Sequence, residues 1–97
     1  MTPEENRFRT IGASIEAAGS GQLFGKPCFK KAGKAFTCFF QNEMVFKLAG
    51  PPHADALAVP GAKLFDPSGK GRPMKEWVQV PASGDWESLA RAAAGIE

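Results

Sequence analysis

The sequence predicts a two-layer α+β domain, with a mainly antiparallel five-stranded sheet, helices on one face and the order α-βββ-α-ββ-α. Three observations favour this class. The chain has 97 residues, which is a usual length for one domain. Short apolar runs separated by turn residues are typical of antiparallel strands. Amphipathic patterns near both ends indicate helices that need a sheet to cover. We therefore treat residues 1–97 as a single domain.

The first helix is predicted at the start of the chain. Thr2 can serve as the N-cap, Pro3 suits the first helical position, and Glu5 completes a capping box. Apolar residues then recur at spacings of three and four, as on one face of a helix: Phe8, Ile11, Ile15 and Ala18. We expect the helix to end near Gly19-Ser20-Gly21.

A three-stranded meander is predicted next, over Leu23–Lys30, Lys34–Gln41 and Glu43–Ala49. Ala32-Gly33 suits a two-residue hairpin turn, because glycine supplies the positive φ that such a turn needs. A three-residue turn at Gln41-Asn42-Glu43 would give the helix-covered face these residues: Phe36, Cys38, Phe40, Met44, Phe46 and Leu48. The opposite face would carry Lys26, Cys28, Lys30, Thr37, Phe39, Val45 and Lys47. Cys28 and Cys38 then point to opposite faces, which excludes a disulfide between them.

The second half of the chain is predicted to add one short helix, two strands and a last helix. Gly50-Pro51-Pro52 interrupts the strand pattern before a helix over His53–Ala58. The two strands are Leu64-Phe65 and Glu76–Val80. Ser83 or Asp85 can cap the last helix, whose apolar stripe is Trp86, Leu89, Ala90, Ala93 and Ile96.

The connection Asp66–Pro73 contains Ser68-Gly69-Lys70-Gly71, which invites comparison with phosphate-binding loops. A P-loop requires Ser or Thr after Gly-Lys, a glycine five positions before that Gly, and a following helix. This chain has Gly71 and Leu64 at the two defined positions. The sequence therefore predicts an irregular connection here and not a phosphate cradle.

The residues that carry catalysis or bind metals are sparse. His53 is the only histidine, Cys28 and Cys38 form no CxxC pair, and no serine lies in a G-x-S-x-G motif. We expect no enzyme activity, no cofactor and no metal site. No apolar run approaches the roughly 20 residues of a membrane span, and the acidic start differs from a signal peptide. We expect a cytoplasmic protein without membrane contact.

Positive charge is concentrated in the middle of the chain. The formal net charge is +2, but Lys26 to Lys75 contains nine basic and three acidic residues. Basic side chains beside an aromatic ring can bind a nucleic-acid strand, and Trp77 is the ring here. The nucleic-acid-binding candidates are Lys30, Lys31, Lys34, Lys70, Arg72 and Lys75. The alternative is an ordinary solvated surface.

The predicted uncovered sheet face offers a second interaction surface. Phe39, Val45 and Trp77 would form an apolar strip there, rimmed by lysines, that suits a protein partner or a homodimer. Alternatively, long lysine stems cover the strip.

The segment "LFGKPCFKKAGKAFTCFFQNEMVFKL", followed by "PGAKLFD" and "WVQVP", resembles the N-terminal domain of the TfoX/Sxy family of competence regulators. The resemblance implies a small α+β fold and, from the longer members, a role in regulating DNA uptake. It implies no catalytic residues. Our leading hypothesis is a non-enzymatic interaction module that binds a protein partner or itself through the sheet face. Nucleic-acid binding through the basic loops is the alternative.

Overall fold

A computed structural model of the chain describes residues 2–23, 25–71 and 73–95. Its elements are α1 (Pro3–Ser14), β1 (Ala18–Leu23), β2 (Lys26–Lys31), β3 (Lys34–Phe40), β4 (Glu43–Lys47), α2 (Pro51–Leu57), β5 (Lys63–Phe65), β6 (Met74–Val80) and α3 (Trp86–Ala93). The strands form one sheet in the order β1-β2-β3-β4-β6-β5, with every neighbouring pair antiparallel. The α+β class is confirmed, with six strands where the sequence predicted five.

The additional strand is β1, which occupies the stretch predicted to end the first helix. Helix α1 stops at Ser14, and its C-cap residue Ile15 is extended. Ala17 has a φ of 67°, which redirects the chain into β1. The strand then pairs with β2 from Ala18 to Leu23. Glycine-rich stretches have low strand propensity, so pairing with β2 and not local composition establishes this strand.

Helix α1 starts as predicted and lies directly on the sheet. The hydroxyl of Thr2 accepts a hydrogen bond from the Glu5 amide at 3.1 Å. The buried Phe8 ring lies 5.1 Å from the Phe29 ring and 5.3 Å from the Phe39 ring, measured between centroids. Gly12 permits this close packing, because a Cβ atom at that position would overlap the ring of Phe29.

The other two helices cover the same face. Asp85 is the N-cap of α3 and accepts a hydrogen bond from the Ser88 amide at 3.1 Å. The buried Trp86 indole donates to the Val80 carbonyl at 3.0 Å, which ties α3 to β6. Ile96, predicted for the apolar stripe, lies outside the described residues. Helix α2 begins at Pro51, earlier than predicted. A proline is tolerated in the first turn because the amide hydrogen that it lacks would have no partner within the helix there.

Two details of β3 correct the predicted distribution of residues between the faces. Its turn to β4 has two residues, since Phe40 pairs with Glu43 and both Gln41 and Asn42 have positive φ angles. Its register with β2 also shifts between Phe29 and Lys30, which leaves Phe36 as an extra residue. Four residues therefore lie opposite to their predicted faces: Thr37, Cys38, Phe39 and Phe40.

The face opposite the helices carries its own small apolar cluster. Its buried members are Cys28, Cys38, Val45, Phe65 and Trp77. The Phe40 and Phe65 rings approach within 5.3 Å, although β3 and β5 are three strand spacings apart, roughly 14 Å in a flat sheet. The sheet must therefore curl over this cluster. None of the helices in the described ranges combines the length and apolar character that a bilayer crossing demands.

Candidate nucleic-acid interface

The predicted apolar strip is not a surface. Phe39 is 9% exposed and packs under α1 on the helix face. Val45 and Trp77 lie on the other face as predicted, but they are 0% and 8% exposed inside its cluster. The expectation that these three side chains form an open strip is wrong, because the turn at Gln41-Asn42 reverses Phe39 and the curl of the sheet buries the other two.

The basic candidates are brought partly together. Lys30, Lys31 and Lys34 flank the Ala32-Gly33 turn of the β2–β3 hairpin, which forms as predicted. Strands β4 and β6 run antiparallel with Lys47 opposite Trp77, which places the end of β4 and the start of β6 at this same end of the sheet. We call this region the lysine end, defined by Lys30, Lys31, Lys34, Lys47 and Lys75.

The remaining candidates lie elsewhere. Lys70 is exposed on the connection between β5 and β6, and Arg72 lies outside the described residues. Lys47 was not among the predicted nucleic-acid-binding residues. Lys47 lies at the end of β4, opposite Trp77 on the neighbouring strand β6. This position could have identified Lys47 as a candidate only if the pairing of β4 with β6 had been known in advance.

A groove runs along the lysine end beside the last turn of α3. Its volume is about 330 Å³, and its lining includes Lys31, Lys34 and Lys47 together with Ala35, Phe36, Ala93 and Ala94. The Lys31 ammonium donates to the Ala94 carbonyl at 3.1 Å, which satisfies one of the free carbonyls at the end of a helix. Lys34 and Lys47 are exposed, so their charges face solvent at the mouth of the groove.

In the described part of the chain, ion pairs are found on the helices and not on the strands. Both ion pairs in the described part of the chain use arginines of α1, Arg7 with Glu87 at 2.9 Å and Arg9 with Glu5 at 3.1 Å. The hydrogen bond from Arg7 holds the pKa of Glu87 below its ordinary value. Among described residues, no lysine of the lysine end has a carboxylate within ion-pair distance. Glu76 on β6 is the acidic strand residue at this end.

The loop after β5 does not offer its amides to a phosphate. The Asp66 carboxylate accepts hydrogen bonds from the amides of Gly69 at 3.1 Å and Gly71 at 2.9 Å, and from the Ser68 hydroxyl at 3.0 Å. Successive amides of a glycine-rich loop can form an anion site. Here the loop's own carboxylate occupies it.

The same loop turns back over the second sheet face. Residues 66–69 border a cavity of about 460 Å³ that also contacts Phe40, Gln41, Lys63, Leu64 and Gln79. Gln79 is buried and donates to the Glu43 carboxylate at 2.7 Å. This loop and the curl of the sheet together explain why the second cluster is protected without a helix above it.

Cys28 and Cys38 are direct cross-strand neighbours in that cluster. The prediction that they point to opposite faces is wrong, because the register shift beside Phe36 moves Cys38 by one position. Both thiols are free and buried. Burial raises the pKa of Cys38 to about 12 and also raises the pKa of Cys28, so neither is an activated nucleophile.

Within the described ranges, no group of three or more His, Cys, Asp or Glu side chains could hold a metal ion. Comparison with protein-family models, with curated proteins and with solved structures finds no match for this chain.

Proposed function

We propose that this chain is a binding module whose lysine end contacts the phosphate backbone of a nucleic acid. The observation that carries the proposal is the groove lined by Lys31, Lys34 and Lys47, none of which is paired with a carboxylate of the described residues. Phosphate binding releases condensed counterions, so unpaired surface lysines on one end of a sheet suit it. A cytoplasmic location is part of this proposal.

Trp77 does not provide the exposed aromatic ring that the sequence-based hypothesis required. Trp77 is 8% exposed, so its ring cannot stack on a base as an open platform does. The half-buried Phe40 lies near the opposite end of the sheet, with the Lys26 ammonium 5.2 Å from its ring centroid. We therefore expect contacts to phosphates without base stacking, and hence little sequence preference.

A salt titration tests the proposal. Fluorescence anisotropy with a labelled 20-base-pair duplex and a labelled 20-nucleotide single strand would measure affinity between about 20 and 200 mM salt. Each phosphate contact contributes about 0.9 to the slope of log K against log salt on a duplex. The double variant Lys34→Gln/Lys47→Gln should bind more weakly and reduce the slope by about two.

The matched control is Lys26→Gln/Lys63→Gln, which removes the same charge from strand positions toward the opposite end of the sheet. It should retain most of the affinity and slope. Absence of binding at 20 mM salt would refute the proposal, and so would an equal loss in both double variants.

Regulation of the TfoX/Sxy kind stays a prediction from the resemblance. It is compatible with a nucleic-acid-binding module but rests on loose sequence motifs. The protein-partner hypothesis loses the strip of Phe39, Val45 and Trp77 as its contact surface, because those side chains are buried. Any protein partner would need a different surface.

A further inference from the structure

The two edges of the sheet are protected to different degrees. The β5 edge has three residues, begins with Lys63, and shifts register between Leu64 and Phe65. Short length, an edge lysine and an irregularity all oppose the addition of another strand. The β1 edge has six residues in unbroken register with β2, and its sequence AGSGQL contains no charge and no proline. Only the β5 edge carries these protective features.

The glycines of β1 are not explained by the fold itself. Gly19 has no positive φ, and a Cβ atom there would meet nothing within 4 Å. Gly21 also lacks a positive φ, and its Cβ would press chiefly on the flexible Lys30 side chain, 3.1 Å from the Cε atom. Glycine weakens a strand and often marks a place where another backbone comes close.

Lys30 is a charged side chain that lies over β1. Its Cδ and Cε atoms would lie 3.4 and 3.1 Å from a Cβ atom at Gly21, so the side chain reaches from β2 over the edge strand. A second copy pairing antiparallel about Gly21 would bring two Lys30 side chains together, which is unfavourable for like charges. A carboxylate on the incoming strand would instead be attracted to Lys30.

We infer that β1 accepts an extended segment of a partner protein with acidic side chains at alternate positions, on the face that carries Lys30. Main-chain hydrogen bonds to the open edge provide the attachment, as in other cases of strand addition. Carboxylates reaching over Gly19 and Gly21 provide the selectivity. Lys30 belongs to the lysine end but does not line its groove, and the inference does not depend on nucleic-acid binding.

An NMR titration with a defined peptide tests the inference. The probe is the acetylated and amidated heptapeptide Thr-Glu-Thr-Glu-Thr-Glu-Thr, added to ¹⁵N-labelled protein. The amide signals of Ala18–Leu23 should shift in a saturable manner. The matched peptide with Gln in place of Glu should bind about fivefold more weakly, the upper range for an exposed ion pair.

Three variants locate the contact. Lys30→Gln should weaken binding of the acidic peptide about three- to fivefold, whereas Lys34→Gln on the same hairpin should leave it unchanged. Gly21→Val should also weaken binding, because its side chain occupies the space that Lys30 crosses, and the strand should tolerate it.

Three results would overturn the inference. The first is an absence of shifts in β1. The second is an equal loss in Lys30→Gln and Lys34→Gln, which would indicate general attraction to lysines. The third is a set of β1 shifts that depends on protein concentration without peptide, which would indicate pairing of two copies.

Discussion

The two faces of the sheet bury apolar side chains by different means. On one face, three helices cover a continuous cluster that includes Phe8, Phe46 and Trp86. On the other, a smaller cluster around Trp77 is closed by the curl of the sheet and the loop that follows Phe65. On this second face, lysine side chains lie at alternate strand positions, whereas helices lie over the first face. A sheet face without helices is therefore not necessarily a bare face.

The largest effect is expected where α1 meets the sheet. Phe8 is fully buried and contacts two aromatic rings of the sheet. Phe8→Ala should reduce the free energy of unfolding by about 4 kcal/mol, through lost burial and the cavity left behind. Urea denaturation followed by tryptophan fluorescence measures this, with the exposed Thr10→Ala on the same helix as control. A loss below about 1 kcal/mol would show that α1 contributes little to the core.

The second face should respond less strongly to a similar truncation. Trp77→Ala removes a larger side chain, but Trp77 retains some exposure at 8%, so we expect a loss of about 3 kcal/mol, at the low end for such changes. The same urea titration applies. A near-neutral result would mean that the second cluster is surface packing and not a second core.

The buried thiols of the second face predict a dependence of stability on alkaline pH. Burial raises the folded-state pKa of Cys38 to about 12 from an ordinary 9.0. Above pH 9 the unfolded chain loses this proton while the folded chain keeps it, so stability should fall by about 1 kcal/mol per pH unit. Urea titrations at pH 8, 9 and 10 measure the slope. Cys38→Ala should reduce it, with the raised pKa of Cys28 leaving a smaller slope, and an unchanged slope would contradict the assignment.

The smallest effect concerns the charges of the helix face. Arg7 lowers the pKa of Glu87, so their pairing stabilises the fold above the ordinary carboxyl pKa and is lost as the pH falls below it. Because both side chains are partly exposed, solvent screens the pair, and Glu87→Gln should cost less than about 1 kcal/mol. Thermal denaturation at pH 7 and pH 3 should show a larger difference between the variant and the parent at pH 7 than at pH 3.

Local signals in the sequence predicted the helix caps and the first hairpin turn. Thr2 caps the first helix as expected, and Asp85 is the one of the two candidates, Ser83 and Asp85, that caps the last helix, since capping depends on a few adjacent residues. Strand β1 was missed because Gly19-Ser20-Gly21 has the composition of a turn and becomes a strand only by pairing with β2. Such pairing is a tertiary contact that local propensity does not contain.

For the candidate nucleic-acid interface, the sequence predicted the types of residue involved better than their arrangement in space. Lys30, Lys31 and Lys34 share one hairpin whatever the register, so their proximity follows from the turn alone. The burial of Trp77 and the reversal of Phe39 depend on the curl of the sheet, and on Gln41 adopting a positive φ that is uncommon for its residue type. Neither leaves a pattern in the sequence.

Gly12 has a consequence for how this chain can vary. A single added methyl group there would enter the ring of Phe29, while Ala13 and Ser14 beside it are exposed. In a library of all single substitutions, selection for folded protein should deplete every replacement at position 12 and retain most of them at the next two. The close contact between α1 and the sheet could then be identified from mutational data alone, as one position that tolerates no substitution in a stretch of helix that otherwise tolerates many.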